Sequence, residues 1–152
     1  MTARTFAALC GVLYIGLGIA GFVPALWERP GGGPSLTIQV FYASLLGVFM
    51  VNIILSMMHL TIGLWAAMSA NNKYSSLIFA RGGTLLFLAM AIAGLIPVKE
   101  VQTLYGTVPL YGNNVWLHLA TAAIGAIFAF RPGYEVTQIG LKEDINPHMP
   151  SR

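Results

Sequence analysis

Four long apolar runs, divided by short polar or Gly/Pro-rich breaks, account for most of the chain. The first extends from Phe6 to about Val23 and stops at Pro24, with Trp27, Glu28 and Arg29 just beyond it. The following Pro30, Gly31, Gly32, Gly33 and Pro34 form a loop that cannot be regular structure. The second run, Ile38 to Met68, is too long for one upright span, and the third, Leu77 to Ile96, ends at Pro97. The fourth, Val115 to Phe130, is short and meets a firm helix stop at Arg131, Pro132 and Gly133. A span needs about 20 apolar residues. Lipid offers no partner for the backbone, so each run should be helical. The expected fold is an all-α membrane protein with four transmembrane helices. The order Arg4, apolar stretch, small residues near Ala25 also fits a signal peptide; it is read here as the first span.

The two halves of the chain resemble each other. Ile19 to Pro24 (IAGFVP) aligns with Ile92 to Pro97 (IAGLIP), and the same register matches Phe6 and Ala7 with Phe79 and Ala80. Further on, His59 and Leu60 align with His118 and Leu119, and that register pairs Leu45 with Leu104 and Gly47 with Gly106. The pattern predicts two repeated helical hairpins, repeat one over 5–70 and repeat two over 77–131, related by a parallel pseudo-twofold axis. They make a membrane domain of 1–133, followed by a polar cytoplasmic tail of 134–152. Pro109 and Gly112 break the second repeat's counterpart of the overlong run, so residues near 38–49 should form a separate turn or short helix. The spacing of Gly16 with Ala20, and of Ala89 with Ala93, suggests close helix contacts.

Composition removes several classes of function. Of 152 residues, 57% are hydrophobic and only 9% charged, too few charges for a soluble monomer. The net charge of +3 comes from scattered basic residues and forms no nucleic-acid patch. Their distribution orients the chain. Arg4, Lys73, Arg81, Arg131, Lys142 and Arg152 would share one side, against Arg29 and Lys99 on the other. By the positive-inside rule both termini are cytoplasmic. The single cysteine, Cys10, excludes an internal disulfide. No span contains Asp or Glu, which argues against a simple proton-coupled carrier. No phosphate-binding glycine loop is present either.

Chemistry is confined to two intramembrane histidines, His59 and His118; His148 falls in the polar tail. Polar or small residues lie on the same helical faces: Asn52, Ser56 and Gly63 around His59, and Asn114, Thr121, Ala122 and Gly125 around His118. Each face should look into the bundle. One reading is a structural hydrogen-bonded pair of His and Asn on neighbouring helices. Another is axial ligation of a tetrapyrrole, with the two histidines holding haem or each holding a chlorophyll. A bare zinc site lacks ligands, and no catalytic set of nucleophile, base and acid is visible. Met57 and Met58 read as core filler, and Trp27, Trp65 and Trp116 as an interfacial belt.

Asn52, His59 and Gly63, together with the segment Gly112 to His118 (GNNVWLH), resemble the signatures of a known family. It comprises small four-helix bacterial integral membrane proteins catalogued as a domain of unknown function. The resemblance extends from about Phe6 to Phe130, with Ala122 where the second repeat should have glycine. It implies the four-helix fold and the importance of both His motifs, and no activity. The function expected is that of a non-enzymatic accessory or structural subunit in a larger respiratory or photosynthetic membrane complex. Other integral membrane subunits and lipids are its expected partners, with Tyr134 to Arg152 as a contact. Tetrapyrrole binding at His59 and His118 is the alternative, and an oligomeric small-molecule transporter or channel the third.

Overall fold

The computed structural model describes residues 2–130, within which the chain is mostly helical with four main helices. The tail contact at Tyr134 to Arg152, His148 and the helix stop at Arg131 lie outside the described residues. Helix α1, Ala3–Ala20, starts in a capping box: the Thr2 hydroxyl accepts from the Thr5 amide at 3.2 Å. Helix α2, Ile53–Ser69, is capped by Asn52, whose side-chain Oδ1 accepts from the Leu55 amide at 3.0 Å. Helix α3, Lys73–Leu95, starts beneath Asn72, which accepts from the Tyr74 and Ser75 amides. A single turn, α4 (Lys99–Gln102), precedes the last long helix, α5 (Asn113–Ala129). Of these, α1 and α3 are long and apolar enough to cross a membrane; α2 and α5 have 17 residues each.

Two expectations about the connections need correction. The overlong second run does break before α2, but neither into helix nor into turn alone. Strands β1 (Trp27–Glu28), β2 (Ala43–Leu45) and β3 (Phe49–Val51) make a small antiparallel sheet in the order β1-β2-β3. The protein is therefore not strictly all-α. Strands this short pair their backbones between helix ends, where a helix could not turn the chain back in so few residues. The small residues expected to make helix contacts also behave differently. Gly16 and Ala89 face outward, and nothing lies within 4 Å of where a Gly16 side chain would begin. The close approach between α1 and α2 is made instead by Gly11, Gly18 and Gly63. A Cβ at Gly63 would sit 2.5 Å from the Ile15 backbone nitrogen, and one at Gly18 2.8 Å from the Leu60 nitrogen. Helices that meet through missing side chains bring their backbones into dispersion contact.

The helices pack chiefly as two antiparallel pairs, α1 with α2 and α3 with α5. Their buried faces follow one pattern. Every buried residue of α1 has a buried residue 73 positions on in α3, including Phe6 with Phe79, Tyr14 with Phe87 and Gly18 with Ala91. Every buried residue of α2 likewise has one 59 positions on in α5, including His59 with His118 and Ala66 with Gly125. The outer connections repeat a backbone feature at the same spacing: Leu46 and Gly47 have φ of 53° and 68°, Tyr105 and Gly106 of 57° and 84°. At the opposite end, Arg4 donates to the Ala70 carbonyl at 2.9 Å and Arg81 to the Ala129 carbonyl at 3.2 Å. Each arginine thus places a cation where a helix C-terminus carries partial negative charge.

Candidate functional site

Positions 56, 59 and 63 of α2 and 114, 118 and 121 of α5 are all buried, as the helical spacing predicts. His59 and His118 meet at the centre of the bundle, their ring centroids 5.9 Å apart and their planes at 71°. They are 2% and 0% exposed, so the rings see no solvent. Two further rings complete the cluster. Tyr14 of α1 lies 5.2 Å from His59, and Phe87 of α3 lies 5.9 Å from His118, nearly parallel to it. Tyr14 and Phe87 stack on each other at 4.7 Å. Four helices thus contribute one ring each.

The asparagines do something other than the sequence suggests. Asn52 donates to the carbonyls of Ile38 and Thr107, at 3.1 and 2.7 Å. Asn114 donates to those of Met50 and Pro109, both at 2.7 Å. Both side chains fasten the outer connections to the bundle and leave the histidines alone, so the His–Asn pair does not form. The physical reason is satisfaction of the connections: the carbonyls of Ile38, Thr107 and Pro109 lie outside helix and sheet, that of Met50 lies in the short strand β3, and one amide NH₂ can bridge two such acceptors.

Among the described residues, both ring nitrogens of His59 and both of His118 lack a hydrogen-bond partner. The Ser56 hydroxyl is also unpaired, lodged against Gly21 where any side chain would collide with it. Thr121, by contrast, is satisfied. Its hydroxyl donates to the Leu117 carbonyl at 2.9 Å, leaving the oxygen to accept from the Tyr14 hydroxyl at 2.8 Å. Leaving a buried donor or acceptor unmatched costs about 1–3 kcal/mol. Four such atoms in one place are therefore the chemically exceptional feature of the bundle.

Tyr14 and Phe87 were not singled out from the sequence, where an aromatic in an apolar run reads as core. The signal that could have found them is the register matching Phe6 with Phe79, which also pairs Tyr14 with Phe87. No group of three or more His, Cys, Asp or Glu side chains gathers among the described residues.

A family comparison matches residues 4–131 to the domain of unknown function DUF4383. The chain belongs to that family. No curated protein and no solved structure matches it.

Proposed function

We propose that this chain is an integral membrane protein of four spans, two parallel-repeated hairpins with both termini cytoplasmic, acting as a non-enzymatic accessory subunit of a larger bacterial membrane assembly. The matched burial of α1 with α3 and of α2 with α5 supports the repeat. The cluster of Arg4, Lys73 and Arg81 towards one end of the bundle supports the orientation. The shortness of α2 and α5 is met by the outer connections, which cover the ends of both helices.

The observation that carries the accessory role lies in those connections. Leu46 and Tyr105, 60% and 83% exposed, occupy equivalent positions at the tips of the two outer connections. Both adopt left-handed backbone, a conformation that costs a non-glycine residue roughly 1–2 kcal/mol. The connections thus accept backbone strain to hold an apolar side chain outward, as a surface shaped to meet a neighbouring membrane subunit would. Purification in a mild detergent should bring down a stoichiometric partner, and replacing Leu46 and Tyr105 together by serine should release it. A monodisperse single chain from native membranes overturns this reading.

A second reading, tetrapyrrole binding, is favoured by the unpaired imidazoles. Two axial nitrogens are available, and such a group would supply redox or light-absorbing chemistry. The fit is poor. Tyr14 and Phe87 lie in ring contact with the histidines and with each other, and the flat macrocycle would need the space that these rings fill.

A further inference from the structure

We propose that His59 and His118 bind a single bare monovalent metal ion, Cu(I), as a two-coordinate centre between their rings. Distance comes first. With one nitrogen of each ring turned towards the other, two metal–nitrogen bonds of about 2 Å plus the reach from each ring centre to its nitrogen come to roughly 6 Å, and a linear centre tolerates the 71° between the ring planes. The centroids stand 5.9 Å apart. Both imidazoles present unpaired nitrogens, so an ion meets acceptors that no protein donor occupies. Neutral histidines bind without releasing a proton, and no electron transfer is involved: the copper enters and stays cuprous.

The coordination number follows from what surrounds the pair. Zinc asks for three or four protein ligands, and no third His, Cys, Asp or Glu joins the two among the described residues. The d¹⁰ cuprous ion is content with two, and imidazole is among the donors that suit copper. Charge points the same way. The cost of burying an ion grows with the square of its charge, and no carboxylate stands near to neutralise a divalent cation. A single positive charge gains instead from the Tyr14 and Phe87 rings that enclose the pair. Finally, the two ligands occupy corresponding positions in α2 and α5. A site between two ligands so placed holds one ion.

The inference is independent of the accessory role and competes with the tetrapyrrole reading, so the test separates all three. Purified full-length protein is titrated anaerobically with Cu(I) against a chromophoric competitor. One ion should bind per chain. His59→Leu or His118→Leu should each weaken binding beyond the roughly 10- to 100-fold typical of losing an outer-shell partner, and X-ray absorption should find two nitrogen neighbours. No binding, binding retained by the double variant, or a third or fourth ligand overturns the proposal, as does a stoichiometric Soret-absorbing group on the purified protein. Should the leucine variants not fold, nitrogen NMR of the unaltered protein decides, since Cu(I) must shift both imidazoles together; a shift of neither overturns it. Loss of the partner on replacing Leu46 and Tyr105, with Cu(I) binding intact, bears on the accessory role alone.

Discussion

His59 and His118 were legible from sequence because an ionisable side chain is conspicuous in an apolar run and because each is followed by leucine in matching stretches of the chain. Their neighbours were less so. Asn52 and Asn114 lie on the right faces, yet each also donates to a carbonyl far away in sequence, Thr107 and Met50 respectively, which no helical spacing reveals. Tyr111 illustrates the same limit. Its sequence neighbours name no partner, whereas its hydroxyl bonds that of Tyr42 at 2.6 Å and approaches the Pro34 carbonyl at 3.4 Å. Burial, reinforced by the bond to Tyr42, pushes its phenol above the ordinary range. A raised pKa in the folded state means that the neutral phenol is the form the fold favours. Its contribution to stability is complete below the unfolded value of about 10 and is lost as pH rises beyond it. The melting temperature should therefore fall as pH climbs past about 10, and Tyr111→Phe should flatten that fall. An identical alkaline slope in the variant would show that the titrating group is elsewhere.

Among the elements, the four long helices were readable because proline and glycine punctuate apolar runs. The ends came out within a few residues: α1 begins at Ala3 rather than 5, and α3 at Lys73 rather than 77. The strands were not readable. Ala43–Leu45 is buried at all three positions, so it has no alternation to betray it, and β1 is two residues long. Helix contacts were misassigned for a related reason: several small residues share the turns of α1, and only the phase of the helix says which face the neighbour. That phase makes a sharp prediction. Gly63→Ala drives a methyl group into the backbone of α1 and should cost about 1–3 kcal/mol, as overpacking does. Gly16→Ala meets open space and should be neutral or stabilising by up to about 1 kcal/mol. Reversible unfolding in detergent measures both, and equal effects would refute the observed phase.

For the molecule as a whole, four main helices were visible in the sequence, and what the structure adds is the way the two halves of the chain join. Arg4 and Arg81 close one end of the bundle, Asn52 and Asn114 tie down the other, and the ring cluster bridges the middle. The two aromatic rings beside the histidines differ by a single oxygen. Where α1 offers His59 a tyrosine, whose hydroxyl reaches across to Thr121 of the other half, α3 offers His118 a phenylalanine. Two imidazoles that sequence makes twins are therefore born unequal, one beside a fixed dipole and one beside a bare hydrocarbon ring. Nitrogen NMR should resolve them as two distinct rings, and Tyr14→Phe should draw their signals together; signals that coincide before the substitution would mean the hydroxyl is not felt. Whatever occupies the centre of this protein would then meet a direction as well as a place, with one side of the site distinguishable from the other.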